Sequence, residues 1–341
     1  MSKRTRSTAA KAATLAAAGT LAVAFGLTAL PADAAVSSPV LAYQEEGDAT
    51  SLIGASASAL DQVGVDGVNI ASNGASVGRP DSDATSQLAT AHSYGKKAEV
   101  LIGNFSESLG DFDEPAAYKL LSSTKNINAV VGTMKSAVTS QGWDGVDIDL
   151  EALQARDTSG LLNFVNALKT ALPGKTVSIA VTCFTTEQEF AANGYNLTAL
   201  GQAVDRLVLM AYDQHGFGDS GPGTIGALSW QTTGLGIVLG HLNGNNGKVI
   251  LGEAGYGYRW YKDWSSGHVD QVSDAQARSL AGSKAAWDSS AHEWHATLSD
   301  GSVMWWADAR SLADRQSLVT ARGLHGLAVW DLGLSDTITH S

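Results

Sequence analysis

Residues 144–151 read Asp144-Gly-Val-Asp147-Ile-Asp149-Leu-Glu151, and acidic side chains alternate there with aliphatic ones. A period of two predicts a β-strand with Asp147, Asp149 and Glu151 on one face and the aliphatic residues on the other. Side chains on one face of a strand are about 6.5–7 Å apart, so the three carboxyls would form a ladder. Like charges at this spacing raise one another's pKa, and we expect at least one acid to hold a proton near neutral pH. Glu151, at the end of the strand, is best placed to use that proton, so the stretch indicates acid chemistry.

An acidic stretch of this kind can also occur without a catalytic role. A calcium-binding loop has oxygen ligands at alternating positions, but it carries a glycine at its sixth position and is not interleaved with aliphatic residues. An acidic strand at the edge of a sheet could instead be solvated. Because burying unpaired charge is costly, three acids on an inward face favour a functional site. Asp144 is out of phase with the ladder, and we expect a structural role for it.

The first 34 residues predict a secretion signal. Four basic residues near the start precede an apolar, Ala-rich run over 12–30, and residues 31–34 read Pro-Ala-Asp-Ala, an A-x-A cleavage site before Ala35. A membrane anchor is the alternative, but the run ends in small residues rather than in a basic stop. No second long apolar run follows, so we expect a secreted protein that contacts no membrane.

Charge and cysteine content restrict the partners. The formal net charge is −12, and residues 1–34 carry four basic residues and one acid, so the charge without them is −15. Such an acidic surface argues against nucleic acid and anionic membranes and weakly favours a neutral polysaccharide. The single cysteine, Cys183, excludes an intramolecular disulfide. It lies in the apolar run 177–184, where we expect a buried, inert thiol.

Short aliphatic runs alternate with helical patterns along residues 35–341, which is typical of a parallel α/β fold in one domain. Residues 52–63 and the segments 127–138, 161–172 and 311–322 show helical periodicity. The predicted strands cover 40–43, 68–71, 98–102, 144–151, 177–181, 207–211, 249–252 and 327–330. Eight strands with intervening helices predict a closed (β/α)8 TIM barrel. A doubly wound open sheet is the alternative, but no Gly-rich phosphate loop follows the first strand.

One long segment interrupts this alternation. Nearly sixty residues separate the seventh strand from the helix at 311–322, too many for a simple connection. Residues 294–298 and 302–306 flank Asp300-Gly301, which predicts a β-hairpin. We interpret residues 253–308 as a small α+β insertion over the barrel. Its many Trp and Tyr residues could line a sugar cleft, but for any one of them a place in the core of the insertion itself is favoured. They are Tyr256, Tyr258, Trp260, Tyr261, Trp264, Trp287, Trp294, Trp305 and Trp306. After Trp330, too few residues remain for more than a single helical turn.

Further motifs stand where barrel strands end. The sixth strand ends in Met210-Ala-Tyr212-Asp213, the eighth ends at Trp330, and the first ends at Tyr43. Together with the spacing D-G-x-D-x-D-x-E, this M-x-Y-D pattern resembles family 18 glycoside hydrolases, the chitinase-like barrels. The stretch 303–333, VMWWADARSLADRQSLVTARGLHGLAVWDLG, is similar to the branch of bacterial spore-cortex and peptidoglycan N-acetylglucosaminidases.

The resemblance implies a role for each residue. In that family the N-acetyl oxygen of the substrate is the nucleophile, so no side chain bonds to the sugar. Glu151 would be the acid and then the base, Asp149 would orient the acetamide, and Asp147 would share a proton with Asp149. The resemblance further implies that Tyr212 bonds the acetamide oxygen, that Asp213 contacts the distorted sugar, and that Trp330 forms the floor of the pocket. Tyr43 and Met210 complete the set of predicted substrate-binding residues.

We therefore expect a secreted, monomeric glycosidase that cleaves polysaccharides containing N-acetylglucosamine, with peptidoglycan slightly favoured over chitin. The alternative is a non-catalytic lectin on the same barrel, but such relatives usually lose the last acid of the motif, and Glu151 is present. We expect no cofactor and no metal. The sequence contains no H-x-x-x-H spacing, and His292 and His295 have no evident third ligand.

Overall fold

Alternating strands and helices close into a barrel of eight parallel strands in the computed structural model, which describes residues 34–217 and 221–340. Numbered in chain order, the strands are β1 Ala34–Val36, β2 Val40–Gln44, β3 Leu60–Asn69, β4 Lys97–Gly103, β5 Phe105–Ser106, β6 Asp111–Phe112, β7 Gly145–Asp149, β8 Thr176–Thr182, β9 Arg206–Met210, β10 Val249–Ala254, β11 Tyr256–Trp260, β12 Val269–Ser273, β13 Ala286–Asp288, β14 Glu293–Thr297, β15 Val303–Trp306, β16 Gly326–Trp330 and β17 Ile338–His340. The helices are α1 Ser51–Ser56, α2 Ser82–Ser93, α3 Glu114–Leu121, α4 Thr124–Gln141, α5 Thr158–Ala171, α6 Glu187–Ala192, α7 Leu197–Ala203, α8 Leu228–Gly240, α9 Asp274–Ala281 and α10 Ala309–Arg322.

The barrel strands follow one another around the ring in the order β2-β3-β4-β7-β8-β9-β10-β16, and each pairs in parallel with its neighbours. The predicted (β/α)8 barrel is confirmed. Its core has two layers. Outward-facing residues such as Val146 and Ile148 pack with the helices, including Val130 and Met134 of α4, and inward-facing residues such as Leu101 fill the barrel.

The prediction for residues 52–63 was wrong. The helix α1 ends at Ser56, and β3 starts at Leu60 rather than at 68. Strand pairing on both sides, with β2 and with β4, overrides the local helical spacing. Gly64 contributes to this pairing, because a Cβ there would lie 2.4 Å from Cδ1 of Tyr43. The space above Gly64 is therefore occupied by the aromatic ring that ends the neighbouring strand.

An antiparallel sheet of five strands, in the order β12-β11-β15-β14-β13, is inserted between β10 and β16. The predicted hairpin is confirmed: β14 and β15 pair around Asp300-Gly301, where Gly301 has φ +83°. Helix α9 covers one face of the sheet and packs through Ala277 and Ala281 against Met304. The aromatic side chains of β11 lie in a different cluster, which includes Tyr212 after β9. This second cluster connects the insertion with the carboxyl end of the barrel.

A buried arginine ties the insertion to the barrel. The Nε atom of Arg315, on α10, lies 3.1 Å from Oε2 of Glu253, on β10, and donates to Oε1 of Gln231 at 2.9 Å. Its Nη2 lies 3.7 Å from Oε1 of Glu293, on β14. Both oxygens of Glu293 also accept backbone N–H groups, from Ile225 at 2.8 Å and Gly226 at 2.6 Å. Four separate elements, α8, α10, β10 and β14, therefore meet at the buried guanidinium of Arg315.

The two ends of the described chain lie side by side, because β1 pairs in parallel with β17. No helix follows α10 within the described residues. The predicted signal segment lies outside the described residues except for Ala34, which belongs to β1. Within the described part, every helix is too short or too polar to span a bilayer.

Candidate active site

The acidic stretch forms β7, and its alternate residues point in opposite directions as predicted. Asp147 and Asp149 are buried in the barrel, and Glu151 is buried just beyond the end of the strand. Val146 and Ile148 belong instead to the core between the barrel and the helices. The three acids thus stand in order along one strand and reach the carboxyl end of the barrel, where β/α barrels carry their active sites.

Asp144, which precedes this strand, has the structural role that we expected. Its Oδ2 accepts the backbone N–H of Ala98 at 2.9 Å and lies 2.8 Å from Nε2 of His92. These contacts attach the start of β7 to β4 and α2.

Asn104 fixes the backbone of Glu151. Its Oδ1 accepts the Glu151 N–H at 2.8 Å, and its Nδ2 donates to the Glu151 carbonyl oxygen at 3.0 Å. Both partners are buried. Asn104 was not predicted, although an asparagine directly after β4, at the same end of the barrel, was a usable signal. This pair of hydrogen bonds holds the chain that carries Glu151 in one position.

Tyr43 connects the first barrel strand to the ladder. Its hydroxyl donates to Oδ2 of Asp147 at 2.6 Å. Burial raises the pKa of Asp147 to about 6, and the hydrogen bond from Tyr43 partly opposes this rise. With this pKa, Asp147 is half protonated near pH 6 and mostly ionised at neutral pH, and burial causes the shift rather than the like charges that the sequence suggested.

A fourth acid, Glu99, lies below the ladder and was not anticipated. It stands on β4 opposite Gly145, which is two residues before Asp147 and on the same face. A Cβ on Gly145 would lie 2.9 Å from Cγ and from Oε1 of Glu99, so the missing side chain leaves the space that this carboxyl occupies. The hydroxyl of Ser178 donates to Oε2 of Glu99 at 2.8 Å. Burial raises the pKa of Glu99 to about 8, and the negative charge of Asp147 adds to the shift.

The Met210-Ala-Tyr212-Asp213 segment follows β9 at the same end of the barrel. Met210 and Tyr212 are buried in one aromatic cluster with Tyr256 and Tyr258. Asp213 is partly exposed and has a positive φ of 57°. Its Oδ1 accepts the hydroxyls of Tyr256 at 2.7 Å and of Tyr258 at 3.0 Å.

Trp330 ends β16, and its ring centroid lies 5.1 Å from that of Tyr43 with the planes tilted by 45°. It packs against both the inner barrel cluster and the cluster that contains Tyr212. Trp330 is half-buried, which leaves part of the indole accessible. All eight predicted site residues thus converge on the carboxyl end of the barrel.

Tyr195 is a further buried side chain near the acids, and it was not predicted from the sequence. It follows α6, and its hydroxyl is 3.5 Å from Oγ1 of Thr182, at the end of β8. Burial raises the pKa of Tyr195, and the nearby charge of Glu151 contributes to the rise. Its hydroxyl therefore stays protonated and places an O–H group beside the ladder.

The residues considered for metal or thiol chemistry lie elsewhere. His292 Nδ1 is 2.7 Å from Asp314 Oδ2, and the ring of His295 stacks on Trp305 with centroids 4.8 Å apart. Across residues 34–217 and 221–340, no group of three or more His, Cys, Asp or Glu side chains is arranged to hold a metal. Cys183 is buried, and burial raises its pKa to about 12, so the thiol is inert.

Several curated proteins are similar to this chain in sequence. Among curated proteins, the chain is 23% identical over 259 residues to the uncharacterized glycosylase YvbX of Bacillus subtilis, with 73% of this chain and 74% of that one covered. It is 24% identical over 264 residues to the cortical fragment-lytic enzyme of Bacillus cereus, with 73% of this chain and 60% of that relative covered. The chain therefore spans only about three fifths of this longer relative.

Solved structures show the same barrel. The spore cortex-lytic enzyme SleL of Bacillus cereus superposes with a TM-score of 0.77 at 21% identity, covering 89% of this chain and 73% of that one. A chitinase of Chromobacterium violaceum superposes with a TM-score of 0.77 at 25% identity, covering 88% and 96%. Residues 84–335, which include the ladder and Asp213, match the model of glycosyl hydrolases family 18. The chain belongs to glycosyl hydrolases family 18 and is a glycoside hydrolase.

Proposed function

We propose that this enzyme is secreted and cleaves β-1,4 bonds on the reducing side of N-acetylglucosamine by substrate-assisted, retaining catalysis. The observation that carries the proposal is the buried ladder of Asp147, Asp149 and Glu151, whose last acid lies at the mouth of the barrel. Peptidoglycan or its fragments are the favoured substrate, because a cortical fragment-lytic enzyme is among the relatives. Chitin is the second candidate, because a chitinase shares the fold.

The proposed mechanism begins with proton donation. Glu151 protonates the leaving glycosidic oxygen, and the acetamide oxygen of the substrate attacks the anomeric carbon. Asp149 orients the acetamide and stabilises the positive oxazolinium that forms. Asp147 shares a proton with Asp149, and its pKa of about 6 suits this exchange near neutral pH. Glu151 then acts as the base that activates water, so two inversions at the same carbon retain the β configuration.

Two further contacts complete the proposed site. The Tyr212 hydroxyl donates to the acetamide oxygen and holds it in position for attack. The exposed part of Trp330 stacks under the reacting sugar. A lectin on the same barrel is the rival function, and the presence of a buried, backbone-anchored Glu151 favours the enzyme.

The test is Glu151→Gln, which keeps the shape of the side chain but removes the transferable proton. General acid catalysis contributes roughly 10²–10⁴-fold, so we expect kcat on N-acetylglucosamine oligomers to fall by at least that order with an unchanged melting temperature. Asp61→Asn, an exposed change at the opposite end of the barrel, is the matched control. Near-normal turnover of Glu151→Gln would refute the assignment.

Two measurements on the wild type test the chemistry and the substrate. An NMR time course should show the β anomer first, and an initial α product would mean single displacement by water. Mass spectrometry of products from chitin oligomers and from peptidoglycan, run side by side, should show faster cleavage of peptidoglycan. Binding of both polymers with no cleavage of either would favour the lectin.

A further inference from the structure

Asp213 has an unusual backbone conformation for its residue type. Its φ of 57° lies in the left-handed region, which non-glycine residues seldom adopt and which surrounding contacts must maintain. The side chain is partly exposed at the carboxyl end of the barrel, directly after the buried Tyr212. Two tyrosines of the neighbouring insertion hold this side chain in place.

Two phenol groups bind one oxygen of Asp213. Tyr256 donates to Oδ1 at 2.7 Å and Tyr258 donates to the same atom at 3.0 Å. The two tyrosines alternate on β11, so they share one face of the strand, and both are buried. Because both O–H groups point at Oδ1, this one oxygen accepts two hydrogen bonds. Among the described residues, none donates a hydrogen bond to Oδ2.

The two tyrosines are themselves fixed by aromatic packing. The ring of Tyr256 meets that of Tyr212 edge to face, with centroids 6.4 Å apart, and that of Tyr258 in the same manner at 5.5 Å. Tyr258 packs in turn on Trp260 at 5.7 Å and on Phe217 at 4.9 Å. The insertion therefore contacts both consecutive residues of the predicted site, Tyr212 through a ring and Asp213 through hydroxyls.

We propose that Tyr256 and Tyr258 are positioning residues that hold Asp213 with Oδ2 directed at the substrate, where it accepts a hydroxyl of the bound sugar. Neutral phenols orient the carboxylate without cancelling its charge, so the site selects an uncharged donor group and repels an anionic substituent. The inference rests on the proposed function, because it requires that a sugar occupies this end of the barrel. It assigns the insertion a part in substrate recognition beyond covering the barrel.

The experiment uses phenylalanine substitutions, which remove only the hydroxyls. Tyr256→Phe and Tyr258→Phe should each lower kcat/KM on N-acetylglucosamine oligomers roughly tenfold, as expected for a lost hydrogen bond to a charged group. Asp213→Asn should lose activity as well, because the two phenols keep its carbonyl oxygen and leave an NH₂ donor in place of Oδ2. Tyr261→Phe is the matched control, since its hydroxyl binds Asp270 at 2.7 Å on an exposed surface, and it should match the wild type.

The decisive comparison is a double-mutant cycle. In an Asp213→Ala background, Tyr256→Phe and Tyr258→Phe should cause no further loss of kcat/KM, and melting temperatures should show that every variant is folded. Equal losses with and without Asp213 would overturn the proposal, as would wild-type activity in both tyrosine variants.

A failure of the proposed function can be distinguished from a failure of this inference. If the wild type cleaves no N-acetylglucosamine polymer, the proposed function is wrong. The same cycle is then measured as the affinity for chitin oligomers by calorimetry. A loss of affinity that depends on Asp213 supports the positioning role, and a loss that is independent of Asp213 refutes it.

Discussion

Replacing Glu99 by glutamine tests the buried acid below the ladder, because Gln keeps the size of the side chain and can still accept from Ser178 but cannot ionise. In the wild type, burial raises the pKa of Glu99 from 4.5 to about 8. Between these values the folded protein holds a proton that the unfolded chain has released. The stability that comes from this proton is complete below pH 4.5 and is lost as the pH rises through about 8.

The size of the effect follows from the shift. Each unit of pKa difference corresponds to about 1.4 kcal/mol, so the site can lower the free energy of unfolding by about 4 kcal/mol at most between about pH 5 and pH 8. Glu99→Gln removes this slope. Asp147 and Glu293, whose pKa values are raised to about 6 and about 7, are present in both proteins and largely cancel in the difference. The variant should therefore gain stability relative to the wild type as the pH rises.

Urea denaturation of both proteins across this pH range measures the difference directly. Asp61→Asn, which removes an exposed carboxylate near the start of β3, serves as the control and should follow the wild type. Stability curves of wild type and Glu99→Gln that stay parallel from acid to alkaline pH would refute the reasoning, since they would mean that Glu99 titrates alike in the folded and unfolded chains.

Two more substitutions test the proposed role of Trp330 as the pocket floor and the buried cation of Arg315. Trp330→Ala should lower kcat/KM at least roughly tenfold while the protein stays folded; a loss of about 3–5 kcal/mol of stability with normal turnover of the folded fraction would instead make Trp330 a plug of the barrel. Arg315→Met should cost about 3–5 kcal/mol in denaturation experiments at slightly alkaline pH, because it leaves Glu253 and Glu293 buried without their cation. The loss should shrink in acid, where Glu293 takes up a proton, and Arg310→Met, a change of an exposed arginine, should cost much less.

The sequence predicted a structural element correctly where the residues of that element alone decide which side chains face inward and which face outward. The alternation in residues 144–151 predicted β7 and the inward direction of its acids, because a period of two requires only local geometry. The start of β3 was missed, since the residues that make it a strand include Tyr43, which fills the space beside Gly64. The periodicity of residues 52–63 contains no information about the ring of Tyr43, because that ring belongs to another strand.

Residues missed at the site share this dependence on distant partners. Glu99 takes its place because Gly145, on the neighbouring strand, has no side chain. Tyr256 and Tyr258 were noted only as aromatic residues of the insertion, and their hydroxyls become meaningful once β11 lies beside Asp213. The composition of the insertion showed that it is rich in tyrosine and tryptophan, but it could not show which of these side chains bond to Asp213.

Two pairs of buried acids in this protein are stabilised in different ways: one pair lies beside a cation, and the other receives hydrogen bonds from uncharged hydroxyls. Outside the barrel, the Arg315 cation lowers the pKa values of Glu253 and Glu293 against the effect of burial, which suits a fixed structural contact. Inside the barrel, Glu99 and Asp147 receive hydrogen bonds from the uncharged hydroxyls of Ser178 and Tyr43, so a proton rather than a cation offsets their burial. A proton can move during a reaction, whereas a guanidinium cannot be deprotonated in a protein. Because those protons are bound with pKa values of about 8 and about 6, the charge below Asp149 can change near neutral pH, as a proton-sharing mechanism requires.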